Sequence, residues 1–233
     1  MIPYYNPGSS LTKHVREIRH ELDKSGLTYE IIAVSDGSTD GSPQTISNLF
    51  PDVLTNLQLP TNHGKGEALR TGLSKGRGRY LGFIDADGDI PAFQLQKVVE
   101  LIKTSSPDII TGSKRHPESE VIYPFLRRIY SWGYQQLIRA LFHLEISDTQ
   151  TGLKIAKREV VDKVLPLMVE KRFAFDLELF VLAKKLGYAN IVEIPIVIKQ
   201  RFRSTISLSA VVGMVRDTLR LFYRLRIAHL YDN

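Results

Sequence analysis

Short apolar runs alternate along the chain with segments whose apolar residues recur every three to four positions. Residues 30–34 (EIIAV), 80–84 (YLGFI), 108–111 (DIIT) and 191–198 (IVEIPIVI) are β-rich, and each predicts a strand. Helices are predicted over 11–25, 41–49, 64–75, 93–104, 123–143, 157–167 and 175–186. Gly187 closes the last of these, a residue suited to the left-handed conformation that ends a helix. Strands separated by helices at this spacing predict an α/β fold: a mostly parallel, doubly wound sheet with helices on both faces. In 208–233, Leu208, Val211, Val215, Leu219 and Phe222 recur at helical spacing, with Arg216, Arg220 and Arg224 as a second stripe. That pattern predicts a basic amphipathic C-terminal helix. No internal repeat or low-complexity linker divides the preceding 1–207, so one domain is expected there.

With 233 residues, 43% hydrophobic and 24% charged, the chain can close one large core around a sheet. It has no cysteine, which excludes disulfides, thiol catalysis and cysteine zinc sites. Its six histidines form no H-E-x-x-H pair. No run approaches the ~20 apolar residues that span a bilayer, and MIPYYNPGSS lacks the pattern of a signal peptide. A soluble or membrane-surface protein is therefore expected. Charge is uneven: from Lys199 onward seven Lys or Arg face two Asp, so +5 of the net +6 lies there. A basic end on a nearly neutral body suits a local anionic partner, whether phosphate, lipid headgroups or nucleic acid.

In open parallel sheets, ligands bind beyond the carboxyl ends of the strands. Two predicted strands end in acidic clusters there: Asp36 and Asp40 in VSDGSTDGS, and Asp85, Asp87 and Asp89 in FIDADGDIP. An extended backbone puts the last three on one side. Their repulsion is relieved by a hard divalent cation, Mg²⁺ or Mn²⁺, that also takes phosphate oxygens. The competing reading is a solvated acidic turn with helix-capping aspartates, and for the first cluster alone it is the stronger one. Residues 62–69 (NHGKGEAL) form a glycine–lysine turn opening a helix, where backbone N–H groups favour an anion. The spacing is neither that of a P-loop nor of a dinucleotide fingerprint, and an exposed helix start reads equally well.

Taken in order, IPYYNP, VSDGSTDGS, NHGKGEALRTGL, FIDADGD, GSKR, DTQTGLK and FDLELFVLAKKLGY before IVEIPIV resemble the family-2 glycosyltransferases of the GT-A fold. Within that family the chain is similar to the dolichyl- and polyprenyl-phosphate glucosyltransferases and mannosyltransferases, from Ile2 to about Ser207. The resemblance implies a GT-A-like catalytic domain over 1–207. It also implies transfer of a hexose, with inversion, from a nucleotide-diphosphate sugar to a polyprenyl phosphate. UDP-glucose is the expected donor and GDP-mannose its rival. Pro3, Tyr5, Asn6, Asp36, Gly37, Ser38, Lys65, Gly66, Asp85, Ala86 and Arg201 are implied at the donor. Pro7 stands where relatives carry an acidic residue. Asp87 is implied as the ligand of Mg²⁺ or Mn²⁺, with Asp89 in the place of a glutamine that reaches the same metal. By the same resemblance, either Lys114 or Arg115, with Arg127 and Ser131, is implied at the lipid phosphate. Asp148 and Asp176 are implied to orient the sugar or assist the attacking oxygen. Arg203, with Arg201 and Ser204 in one basic loop, is implied to support the leaving diphosphate.

A phosphate acceptor is mostly ionised near neutral pH, so it needs a general base less than a sugar hydroxyl does. Tyr123, Phe125, Tyr130, Trp132, Tyr134 and Phe142 lie among arginines, a mixture that with the basic C-terminal helix suits a headgroup boundary. The protein is expected to be peripheral on the cytoplasmic face of a membrane. The rival reading of the C-terminal helix is an amphipathic helix packed on the body. Only Met1 and Ile2 precede Pro3, where the family has a whole strand, so the first strand is expected to be truncated or to begin upstream. A glycosyltransferase acting on a saccharide hydroxyl and a non-catalytic nucleotide-binding module are the alternatives. Nucleic acid is not expected as a partner, since the aromatics do not form RNA-stacking motifs.

Overall fold

The computed structural model describes residues 1–121, 125–172, 174–198 and 208–232, and within these the side chains of all but 125–128 and 208–210. β2 (Ile31–Ser35) lies between β1 (Ile2–Tyr4) and β3 (Leu54–Gln58), all three parallel. β4 (Tyr80–Ile84) joins the other side of β1 through Met1, whose amino group donates to Gly82 O at 2.9 Å and whose carbonyl accepts from Ile84 N at 3.1 Å. Beyond β4 come β7 (Leu153–Lys157), β5 (Ile109–Ser113) and β8 (Ile191–Pro195). β6 (Glu120–Val121) and β9 (Val197–Ile198) form a separate parallel pair.

The order of the strands reverses between the parallel β1 and β4, which places a crevice at their carboxyl ends. The sheet is mostly parallel, as expected; β7, a strand the pattern did not predict, runs antiparallel to both β4 and β5. The reason is where it starts. The preceding turn is anchored at the carboxyl end of β5 by a 2.7 Å bond between Ser113 Oγ and Ser147 Oγ, so the chain can only run back. The run 191–198 splits at Ile196 for a related reason: β8 pairs with β5, while β9 turns away to β6.

Helices cover both faces, as the pattern predicted. α1 (Ser10–Asp23), α2 (Ser42–Ser47) and α4 (Leu95–Thr104) bury Leu11, Val15, Ile46 and Val98 against Ile2, Ile84 and Ile155. On the other face, α3 (Lys65–Lys75), α5 (Phe125–Phe142), α6 (Arg158–Val164) and α7 (Phe175–Lys185) bury Leu69, Ile138, Val160 and Phe180 against Phe83 and Ile109. Residues 175–183 of α7 are buried without exception, which makes it an interior helix. β1 is short: its register begins with Ile2 opposite Ala33, so Ile31 runs past it. A cavity of about 690 Å³ lies there, lined by Met1, Ile18, Leu22, Ile31, Leu81 and Val98 among others.

α8 (Leu208–Arg226) packs on α5, with Phe142 and Phe222 edge-to-face at 6.0 Å. Its faces differ from those predicted. Leu221 is fully buried, together with Asp217 and Thr218, while Leu219 is 48% exposed. The arginine stripe divides as well: Arg216 and Arg220 face outward, whereas Arg224 turns in to pair with Glu170. Tyr134 Oη meets Thr218 Oγ1 at 2.9 Å, so polar contacts with α5 and with Glu170 set the helix rotation. No helix among the described residues is long and apolar enough to cross a membrane.

Candidate active site

The loops after β1 and β2 are laced together. Asn6 turns the chain with φ 45°; its Oδ1 accepts from Thr39 N at 2.8 Å and its N–H donates to Ser38 Oγ at 3.0 Å. Gly8 N donates to Asp40 at 2.8 Å, and Tyr5 stands exposed while Pro3 is buried in the strand. Gly37, at φ 75°, lies so near residue 61 that a Cβ would sit 2.5 Å from the Thr61 carbonyl carbon. Only glycine fits there.

Asp36 directly follows β2 and is buried. Its carboxylate, expected at the base of a nucleotide, accepts from His63 N at 2.8 Å and Gly64 N at 2.9 Å, and so fixes the glycine–lysine turn. Gly64 and Gly66 lie against Lys171, and a Cβ on either would come within 2.7 Å of its carbonyl oxygen. Between them Lys65 reaches Asp85, with 2.5 Å from Nζ to Oδ1. Burial pulls the Lys65 ammonium down, but the carboxylates of Asp85 and then Asp176 outweigh it, and its pKa is raised. Asp36, Lys65 and Asp85 thus share one cleft.

The second acidic cluster is a turn, not the expected extended segment. Asp85 N donates to Gly152 O at 2.9 Å and Gly88 adopts φ 73°, so the segment turns after Asp85 instead of continuing extended. Asp85 faces Lys65, with Ala86 buried behind it. Asp87 is exposed at the mouth, one carboxylate oxygen accepting from Asp89 N at 3.0 Å. Among the described residues, no three His, Asp or Glu side chains converge into a metal cage. The donor set still fits a hard divalent cation: Asp87, with Asp89 two residues on, offers carboxylate oxygens at an open site. Mg²⁺ and Mn²⁺ sites of this kind take one or two carboxylates and draw the rest from phosphate oxygens and water.

Opposite lies a basic group. Lys114 Nζ pairs with Asp148 Oδ2 at 3.0 Å, and the same oxygen accepts from Lys114 N at 3.0 Å and Thr151 Oγ1 at 2.7 Å. Gln150 N donates to the other oxygen at 3.0 Å. Burial alone would raise the pKa of Asp148; the Lys114 ammonium and these hydrogen bonds prevail and hold it at about 2. Arg115 Nη2 donates to Ser131 Oγ at 2.9 Å. Arg127 precedes Ser131 by one turn of α5, but its side chain lies outside the described residues, as do Arg201, Arg203 and Ser204 entirely. Asp176, in the first turn of α7, is buried and pairs with Lys154 Nζ at 2.9 Å.

Three contributors escaped the sequence reading. Glu193 accepts from Ser147 Oγ at 2.7 Å and from the backbone of Ser147 and Asp148, pinning that turn; an acid inside the apolar run 191–198 was its signal. Gly152 leaves room for the Asp85 carboxylate, which a Cβ would overlap. Lys154, the first lysine of LKIAK, is a strand residue buried beneath the cleft.

The profile of Glycosyl transferase family 2 matches residues 1–165. A dolichyl-phosphate beta-glucosyltransferase of Trichomonas vaginalis, ALG5A, is 31% identical over 95% of this chain and 71% of its own length. The Saccharomyces cerevisiae dolichyl-phosphate beta-glucosyltransferase is 30% identical over 84% of this chain, which spans 65% of that protein. Among solved structures, glucosyl-3-phosphoglycerate synthase from Mycobacterium tuberculosis, crystallised with Mn²⁺, UDP and phosphoglyceric acid, superposes with a TM-score of 0.72. It covers 96% of this chain and 76% of its own at 18% identity, a likeness of fold, GT-A in type. Motif order, architecture and family match therefore agree: the chain belongs to glycosyl transferase family 2 and is a glycosyltransferase.

Proposed function

We propose that the chain transfers glucose from UDP-glucose to a polyprenyl phosphate of the dolichyl type, with inversion, at a membrane surface. The observation that carries this reading is the meeting of two charged groups across Gly152. On one side Lys65 and Asp85 stand beside the open Asp87 turn; on the other, Lys114 and Arg115 gather around Asp148 and Ser131. A donor diphosphate and an acceptor monophosphate are two anions that such a cleft holds side by side. The names of the relatives support the acceptor and the sugar, and the UDP and Mn²⁺ in the crystals of the fold neighbour support the donor.

Breaking the bond from the anomeric carbon leaves negative charge on the diphosphate. When bound at Asp87 and Asp89, Mg²⁺ or Mn²⁺ supplies neutralisation of that charge. Asp36 holds the 63–64 backbone, which aims Lys65 at the same diphosphate, and Pro3, Tyr5, Asn6, Gly37, Ser38 and Gly66 shape the nucleotide end. Arg201 and Arg203 belong to this side in the proposal. Lys114 and Arg115, with Arg127 and Ser131, hold the acceptor phosphate in line with the anomeric carbon. Asp148 is a poor base with a pKa of about 2 and is engaged by Lys114; it positions that lysine rather than accepting a proton. This favours an acceptor already ionised over a saccharide hydroxyl. Asp176 orients the sugar from below.

The membrane side of the reading rests on an exposed face of mixed character. Ile129, Tyr130 and Trp132 on α5 and Val212, Leu219 and Tyr223 on α8 are exposed, with Arg216 and Arg220 among them. Aromatic and basic side chains together suit the headgroup region of an anionic leaflet, such as the cytoplasmic one. The donor half is tested by calorimetric titration with UDP. Mn²⁺ is expected to strengthen binding at least about tenfold, the scale of charge-assisted phosphate contacts. Asp87→Ala is expected to lose that gain with an unchanged melting temperature. UDP binding indifferent to Mn²⁺ in the unaltered protein would overturn the metal assignment, and no UDP binding at all would overturn the donor.

A further inference from the structure

Lys154 is 2% exposed, yet it carries an ammonium group. It stands on β7 opposite Phe83 of β4, with Nζ 5.4 Å from the centre of that ring and 5.6 Å from that of Phe180. Its Nζ donates to Thr151 O at 2.5 Å and pairs with Asp176 at 2.9 Å. Lys65 Nζ lies 5.4 Å from the centre of the same Phe83 ring and pairs with Asp85. Two lysines and two aspartates therefore share one aromatic floor.

The pairing within this quartet is a choice. Asp176 attracts Lys65 as well as Lys154, and its buried Oδ1 is held by the Lys154 ammonium at 2.9 Å. A buried carboxylate stripped of its counter-ion is strongly unfavourable and draws the next cation in reach. For Asp176 that cation is Lys65, whose side chain is 40% exposed at the mouth of the cleft.

We propose that Lys154 is a positioning residue that occupies Asp176 and so leaves Lys65 on Asp85, at the donor diphosphate. The inference deepens the donor reading of Lys65 and rests on it. Removing Lys154 swings Lys65 inward and empties the diphosphate site of its lysine, without touching any group that meets the nucleotide.

The test is UDP binding by calorimetry in the presence of Mn²⁺, with thermal melting as the control for folding. Lys154→Met is expected to weaken UDP about tenfold, the loss of one charge-assisted contact. The double variant Lys154→Met with Asp176→Asn is expected to recover nearly all of it, because no buried carboxylate then competes for Lys65. A double variant as weak as the single one overturns the proposal, and so does one whose melting temperature recovers while its UDP affinity does not, because relief of a buried charge restores stability by itself. Unchanged binding in Lys154→Met overturns it as well. Should that variant not fold, the double variant is compared with Asp176→Asn alone: equal binding supports the proposal and weaker binding overturns it. An unaltered protein that binds no UDP overturns the donor reading, and the proposal with it; where the unaltered protein does bind UDP, a failure of the variants to behave as expected falls on Lys154 alone.

Discussion

The Asp148 carboxylate accepts from Lys114, Thr151 and the backbone of Gln150, and its pKa falls from 3.8 to about 2. A carboxyl depressed by folding stabilises the native state above its unfolded pKa. That contribution is lost as the pH falls through the folded value. Asp148→Asn is therefore expected to lower stability by about 2 kcal/mol near neutral pH, at ~1.4 kcal/mol for each tenfold change in acidity. Urea unfolding should find the gap narrowing as the pH drops from about 4 toward 2. A gap that stays constant over that range would mean the charge of Asp148 is not what stabilises it. Gly152→Ala is a second case. A methyl there overlaps the Asp85 carboxylate, so overpacking should cost about 1–3 kcal/mol and weaken UDP binding. Equal affinity and equal melting temperature would contradict the contact. At this scale the sequence displayed residue types but not partners. DTQTGLK announced Asp148, yet nothing in it tells that Thr151 and Lys114 saturate the aspartate, because Lys114 comes from the distant turn after β5.

Elements were legible where a periodic pattern met a capping residue. α1, α3 and α7 lie within two residues of their predicted bounds, and Gly187 ends α7 at φ 87°. β3 and β7 were missed because LTNLQ and LKIAK carry polar residues that break the apolar run, and β7 ties both its lysines into ion pairs. α8 is the instructive element. Its apolar residues outnumber the positions on one face, so periodicity alone could not choose which to bury; contacts from α5 and from Glu170 made the choice. The exposed remainder leads to a prediction. Trp132→Glu with Leu219→Glu is expected to reduce cosedimentation with anionic vesicles several-fold, each exposed side chain contributing on the order of 1 kcal/mol. UDP affinity should not change. Vesicle binding equal to that of the unaltered protein would remove this face from the membrane account.

Across the whole molecule, most of the blocks that carried the resemblance come from the carboxyl ends of β1, β2, β3, β4 and β5 and from the turn before β7. The sheet gathers them because the reversal of strand order between β1 and β4 opens a crevice there, and β7, entering from the same end, brings Asp148 and Gly152 to it. Close approaches at Gly37, Gly64, Gly66 and Gly152 require glycine, which is why motif spacing survived as a readable trace of the site. The central claim is that this crevice joins a nucleotide-sugar diphosphate to a lipid phosphate. Its most direct test is incubation with radiolabelled UDP-glucose, Mn²⁺ and either a polyprenyl phosphate or a panel of soluble saccharides. Label is expected to move into the lipid phosphate and not the saccharides; label in the saccharides alone, or in no product with folded protein, would contradict the account.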